Sequence, residues 1–333
     1  MDRSILRRIR QAAFSGLLCA TAAAAFAQAL AYPAKPVQIV VPFSAGGDAD
    51  QSARNLAAHA QPLLGQPLVI VNRAGANGAI GSQQVKEAAP DGYTLLLARV
   101  GSQVLLPALQ PKAINYRWND FTFLGMLDLN PVVCAVHPDS PYRSIADVVT
   151  AMRNQPGKLS YSNSGPATVQ NLAPQLLMNA AGLKPDSAVS VPYKGGAEVT
   201  MAVMTKDVDF TCNNLSSIGG QLAGGKLRAL VTTTPTRLEK LPDVPTAREA
   251  GYPQLEAVVG WSALYGPPKM DPAAVQRWST VLRQLSQDSK WVAGNATFGG
   301  IPNVLSPEDT QKYVENSFSV YQSLVQKTGL EIK

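Results

Sequence analysis

The chain has 333 residues, 46% of them hydrophobic and 16% charged, with a formal net charge of +6. That apolar fraction is ordinary for a folded protein and excludes wholesale disorder. At about 150 residues per domain the length predicts two lobes, and only the N-terminal end holds an apolar run that calls for a membrane or targeting explanation.

In chain order, the first element reads as an address. Arg3, Arg7, Arg8 and Arg10 form a positive start, and residues 12–25 a short apolar stretch. Ala25-Phe26-Ala27, Ala27-Gln28-Ala29 and Ala29-Leu30-Ala31 then offer small-x-small cleavage sites. The pattern predicts a secretory signal peptide over 1–31. The stretch is Ala-rich and falls short of the ~20 residues of a membrane span. Leu18, before Cys19, is too large for a lipidation site. Cleavage after Ala31 removes four Arg and one Asp, so the net charge drops from +6 to +3 over the 302 residues that remain. Their Lys and Arg are scattered, with no basic run and no aromatic interleaving, which excludes a nucleic-acid footprint. Cys134 and Cys212 remain. An oxidising compartment permits a bond between them, and two free buried thiols are equally compatible with the sequence.

The β-branched run Val37–Val41 predicts a strand, as do 68–71, 94–98, 132–136, 189–193, 208–212 and 227–233. Between them lie amphipathic helices. Ala53, Leu56, Ala57, Ala60, Leu63 and Leu64 share one face, and Gly65 stops that helix. Val169, Leu172, Leu176, Leu177 and Ala180 form a second stripe ended by Gly182. Pro174 inside it predicts a kink or a later start. Asp271-Pro272 caps a helix through Val275, Trp278, Leu282 and Leu285. Ser306-Pro307 with Asp309 caps the last, along Val314, Phe318, Tyr321 and Val325. These aromatic stripes read as core. Alternating strands and helices predict an α/β fold with largely parallel sheets. No flexible tether separates the lobes, so strands cross between them, near 130–137 and near 227–234.

Catalytic signatures are absent from the sequence. His59 and His137 lie in different predicted elements. No His/Cys/Asp/Glu cluster has metal-ligand spacing, and neither a G-x-S-x-G elbow nor a Walker loop occurs. No cofactor is expected. Gly75-Ala76-Asn77-Gly78-Ala79-Ile80-Gly81 has G-x-x-G-x-x-G spacing and reads as a glycine turn close to another backbone, not a dinucleotide fingerprint. The chain leans towards binding.

Two loops carry that binding. Strand Val37–Val41 runs into Pro42-Phe43-Ser44-Ala45-Gly46-Gly47-Asp48-Ala49-Asp50 and then a helix, whose free first-turn amides favour an anion. The Asp48 and Asp50 side chains read as helix caps. Leu159-Ser160-Tyr161 leads likewise into Ser162-Asn163-Ser164-Gly165-Pro166-Ala167-Thr168 and a helix. One such loop per lobe predicts a cleft that clamps an anion. Charge-assisted hydrogen bonds of roughly 1.5–3 kcal/mol each reach micromolar binding with four or five donors.

At these residues the chain resembles the extracytoplasmic solute receptors of tripartite tricarboxylate transporters, the Bug receptors. The resemblance rests on Pro42 to Gly47 with Asp50 and Arg54, then Val71-Asn72-Arg73 followed by the glycine turn. Asp91-Gly92-Tyr93-Thr94, Tyr161 to Gly165 with Thr168, Pro192-Tyr193-Lys194-Gly195-Gly196 and Leu241-Pro242-Asp243-Val244-Pro245-Thr246 follow in the expected order. It implies a two-lobe periplasmic-binding-protein (Venus flytrap) fold, with lobe 1 over 32–130 and 234–333 and lobe 2 over 131–233. It also implies a periplasmic monomer that performs no chemistry, closes on a small organic acid and presents it to integral-membrane permease subunits. Carried over, the ligand carboxylate falls to Phe43, Ser44, Ala45, Gly46, Asp48, Ser162, Ser164, Gly165 and Thr168, with Asn77 and Gly78 as a third wall. Two positions depart from the family pattern. Asn213 stands where many relatives have Asp, which argues against an ammonium and hence an amino-acid ligand. Arg99 ends a strand where relatives carry a small or polar residue. Arg99 or Lys194 is therefore expected to take a second carboxylate, unless Arg99 turns to solvent or pairs with Asp128. A di- or tricarboxylate, or an aromatic acid such as terephthalate, follows. The rivals are a flytrap co-sensor and a secreted hydrolase.

Overall fold

The computed structural model describes residues 32–297 and 299–328. The expected signal peptide therefore lies outside the described residues. Ten strands form a continuous mixed sheet in the order β2-β1-β3-β9-β4-β7-β5-β6, with β8 and β10 also pairing β4. These are β1 (Val37–Val41), β2 (Leu68–Asn72), β3 (Thr94–Arg99), β4 (Thr122–Val136), β5 (Leu159–Asn163), β6 (Ala188–Pro192), β7 (Phe210–Asn214), β8 (Arg228–Thr232), β9 (Val259–Gly266) and β10 (Ile301–Leu305). The helices that matter below are α1 (Asp48–Leu64), α2 (Ala79–Lys86), α3 (Ile145–Asn154), α4 (Val169–Ala180), α5 (Gly196–Met204), α6 (Leu215–Ala223), α7 (Pro272–Leu285), α8 (Ser289–Thr297) and α9 (Pro307–Thr328).

The sheet is parallel only on its flanks. β1 runs parallel to β2 and β3, and β5 to β6 and β7. The middle strands β4, β8, β9 and β10 pair antiparallel. β4 is the seam. Its first part pairs β9 as far as Pro131↔Val259, and from Val132 onward it pairs β7 instead. The chain comes back through β9. Before that, the segment after β8 stays beside it, because Thr232 bridges Thr246 and Thr233 Oγ1 donates to Val258 O at 2.9 Å.

Burial explains the elements. Val37, Ile39, Val40 and Val41 of β1 are fully buried, where stiff β-branched side chains pack well. α1 buries Ala53, Leu56, Ala60 and Leu64, and Gly65 ends it in the left-handed region (φ 74°). The helix expected around Pro174 starts at Val169 and contains the proline. Leu172, Ala173, Leu176 and Leu177 are buried, and packing of this face holds the helix across the missing N–H. Asp271 Oδ1 accepts from Ala273 N at 2.7 Å and Ser306 Oγ from Asp309 N at 3.1 Å, so both predicted caps form. Trp278, Val314 and Tyr321 are core. Phe318 packs against it, and the Val325 side chain lies outside the described residues. Cys134 and Cys212 face each other in the β4–β7 register and form a disulfide.

Among the described residues no helix is long and apolar enough to cross a membrane, and no group of three His, Cys, Asp or Glu could hold a metal.

Candidate functional site

The carboxyl ends of β1 and β3 face the carboxyl ends of β5 and β7 across a cleft. An inner cavity of about 310 Å3, counting space open to solvent, lies between them. Phe43, Asp48, Arg99, Val100 and Gly101 line it from one side, and Ser164, Thr168, Val169, Gln170, Gly196 and Asn214 from the other. An outer cavity of about 620 Å3 shares Phe43 and Ser164 and adds Gly75 to Gly78, Gly165, Pro166, Tyr193 and Lys194.

α4 opens onto the inner cavity. Thr168 is its extended N-cap, and its Oγ1 turns back to donate to Gly165 O at 2.7 Å. The Val169 and Gln170 amides have no hydrogen-bond partner among the described residues. Such amides at a helix start favour a carboxylate. The loop before the helix is set by its own side chains, with Asn163 Oδ1 accepting from Gly165 N at 2.8 Å.

The opposite wall is built around a buried charge cluster. Asp48 is the first residue of α1, not its cap; the N-cap is Gly47. Asp48 Oδ2 accepts from the Arg99 guanidinium and, at 2.7 Å, from Asn214 Nδ2. Arg99 also donates to Ser262 Oγ, which in turn donates to Asp128 Oδ1 at 2.8 Å. Arg99 thus reaches the cavity, but its guanidinium is already held by Asp48 and Ser262. Burial pushes the Asp128 carboxyl up, against the opposing pull of Arg99. Asp50 does act as the loop's anchor. Its Oδ2 accepts from Gly46 N at 2.9 Å and Arg54 Nε at 2.8 Å, and its Oδ1 from Asn72 Nδ2 at 3.1 Å. Burial acts upward on this group too, but the bonds from Arg54, Gly46 and Asn72 outweigh it and hold the carboxyl below the usual range.

Nine of the fourteen residues expected at the site line one cavity or the other: Phe43, Asp48, Asn77, Gly78, Arg99, Ser164, Gly165, Thr168 and Lys194. Of the remaining five, Ser162 and Asn213 build the walls. Ser162 is fully buried and its Oγ donates to Val199 O at 2.8 Å. Asn213 is fully buried and holds Gly196 O, Thr200 Oγ1 and Gln170 Nε2. It therefore says nothing about an ammonium. Ser44, Ala45 and Gly46 line neither cavity. Val100, Gly101, Val169, Gln170, Gly196 and Asn214 were not anticipated. The alternation of a strand supplies the missing signal: Asn213 turns into the wall, so its neighbour Asn214 turns the other way.

Ser44 and Gly46 form a seam between the halves instead. Ser44 N donates to Lys194 O at 3.5 Å, and a Cβ built on Gly46 would lie 3.6 Å from Ala197 Cβ. A Cβ on Gly195 would overlap Ser44 Oγ, and one on Gly165 (φ 121°) would overlap Asn77. Gly195 is extended (φ −176°), so alanine there adds no backbone strain and acts only on the cross-cleft contact. Gly195→Ala is expected to leave the unfolding midpoint within about 2 °C and to weaken ligand binding at least about tenfold, equal to ~1.4 kcal/mol. Adding Ser44→Gly should restore most of the affinity. Titration calorimetry of the three proteins checks this, and an unchanged affinity in the single variant would contradict it.

The chain is similar to known proteins over most of its length. The family model for the tripartite tricarboxylate transporter family receptor matches residues 52–330. Protein BugT of Bordetella pertussis is 30% identical over 331 residues, covering 97% of this chain and 99% of BugT. The structure of R. palustris Rpa4515 with adipate superimposes with a TM-score of 0.85 at 28% identity, over 90% of this chain and 98% of that one. MatC from Rhodopseudomonas palustris with bound malate gives 0.83 at 28% identity, over 88% and 100%.

Proposed function

The chain belongs to the receptor family of tripartite tricarboxylate transporters, and on that premise we propose that it captures a small organic carboxylate in the periplasm and delivers it to a membrane permease. The observation that carries this reading is one cavity lined both by Val169 and Gln170, whose amides have no partner among the described residues, and by Phe43 and Asp48 across from them. A carboxylate seated there accepts from both amides and from Ser164, and Phe43 covers it. Lys194 in the outer cavity, which makes no ion pair among the described residues, is the cation for a second carboxylate. The related structures that hold adipate and malate support the ligand class. The two cavities share Phe43 and Ser164 as lining, an arrangement that favours an extended acid such as a di- or tricarboxylate or an aromatic acid.

The lobes of this reading meet at two strand crossings. One lies at Pro131–Val132, where β4 changes partner. The other lies at Val258–Val259, later in the chain than 227–234, because the segment after β8 stays beside Thr232. The protein acts as a monomer that closes about these crossings and catalyses no reaction.

A thermal-shift screen with mono-, di- and tricarboxylates, aromatic acids, amino acids and neutral sugars tests the proposal. A ligand at 100 times its dissociation constant stabilises the fold by about 2.7 kcal/mol. At least one carboxylate should raise the midpoint and no neutral sugar should. A screen in which only sugars, or nothing, stabilise the protein would overturn the reading.

A further inference from the structure

Asp48 is 6% exposed, yet only one of its carboxylate oxygens is used. Oδ2 takes Arg99 and Asn214. Oδ1 has no hydrogen-bond partner among the described residues. It lies towards Gly196, another residue of the inner cavity; a Cβ built on Gly196 would be 3.2 Å from it. The backbone amide of Asp48 donates to Ser217 Oγ at 3.0 Å, so the residue is fixed from both sides of the cleft. The residue is thus held firmly, and Oδ1 is not among the fully buried atoms, so it stands as an acceptor open to a donor in the cleft.

The neighbouring charges decide what that donor can be. Arg99 is the one cation of the inner cavity among the described residues, and Asp48 already neutralises it. Asp128 stands behind Ser262 as a second acid. A ligand carboxylate brought to this wall would meet Asp48 with no unpaired cation to offset it. A hydroxyl or an ammonium would meet an open acceptor.

Resting on the carboxylate reading above, we infer that Asp48 is a specificity-determining residue: its Oδ1 accepts a hydrogen bond from a hydroxyl or ammonium carried by the bound acid. The ligand carboxylate sits at the start of α4 and the donor group faces Asp48. A second carboxylate, where the ligand has one, points outward to Lys194. The site thus selects hydroxy- or amino-substituted acids over their unsubstituted counterparts.

Titration calorimetry on matched pairs tests this: propanoate against 2-hydroxypropanoate and 2-aminopropanoate, butanedioate against 2-hydroxybutanedioate, and benzoate against its hydroxy derivatives. In at least one pair the donor-bearing acid should bind about tenfold tighter or more, and Asp48→Ala should bring that pair within about threefold. Asp48→Asn keeps a neutral acceptor, so it should retain part of the preference for a hydroxyl and lose that for an ammonium, which separates the two donors. Should Asp48→Ala fail to fold because Arg99 is left unpaired, the Asp48→Ala/Arg99→Leu double variant makes the same comparison with an apolar wall. Equal binding within every pair that binds, or a preference that survives loss of Asp48, overturns the assignment and leaves the carboxylate reading intact. Binding of no acid at all overturns both.

Discussion

Arg99→Ala is expected to destabilise the protein by about 3–5 kcal/mol near neutral pH, the usual cost of removing one partner from a buried ion pair. Arg99 is 3% exposed and stands between Asp48 and the Ser262–Asp128 pair. Its loss leaves two buried carboxyl groups without a cation. Arg99→Lys should recover little, since a single ammonium does not reproduce the fork that holds Asp48 and Ser262 together. The deficit should also depend on pH. Asp128 has its carboxyl pushed up by burial, so the native state binds that proton more tightly than the unfolded chain. Stability from such a group is fully present below the unfolded carboxylate value of about 3.9 and is lost as pH rises through the raised native value. Without Arg99 the native value moves higher still. Urea denaturation should therefore show a smaller deficit at about pH 5 than at about pH 8, and Asp128→Asn in the Arg99→Ala background should flatten the difference. A loss below about 1 kcal/mol at pH 8, or one that grows towards acid, would contradict this.

Loss of the disulfide is expected to cost as much. Cys134 and Cys212 are 78 residues apart in sequence and almost fully buried. Closing a loop of that length removes unfolded-chain entropy worth about 4.5 kcal/mol in the chain-entropy model, and measured losses for native disulfides run about 2–5 kcal/mol. The double variant Cys134→Ala/Cys212→Ala should lose stability in that range in denaturant titrations under non-reducing conditions. Reductant should cost the parent protein a similar amount and the variant nothing. Asn214, which reaches across the cleft to Asp48, follows Cys212 by two residues. The ligand affinity of the folded variant should nonetheless change less than its stability, because Asn213 and Asn214 keep their own hydrogen bonds to Gly196, Thr200 and Asp48.

What the sequence revealed follows the same physics. β1, β3 and the second half of β4 were legible because continuous β-branched and leucine runs are what strands buried on both faces need, and the edge strand β2 carries the same kind of run although Val69 is exposed. The first half of β4, with β9 and β10, was not. Gly125, Asp128 and Asn130 interrupt β4, and Gly260 and Ser262 interrupt β9, so neither reads as an apolar run. Those interruptions have structural work to do. Register shifts break the β4–β9 pairing on either side of Met126, and Asp128 and Ser262 form the polar cluster behind Arg99. A buried charge cluster in mid-sheet is assembled from three distant segments, and no local pattern announces it. The loops of the site were legible because a strand, a short polar or glycine-bearing turn and a helix start have a local signature. The direction of single side chains was not. Ser162 and Asn213 sit at strand ends where a one-residue step exchanges cavity for wall, and both turned to the wall.

The crystal structure of the protein with the carboxylate that stabilises it most is the measurement that bears most directly on this account. The carboxylate is expected within hydrogen-bonding distance of the Val169 and Gln170 amides and of Ser164, with the rest of the molecule between Phe43 and Asp48. A ligand found outside this cleft, for example against Leu282 and Arg283 between α7 and the start of α9, would contradict it.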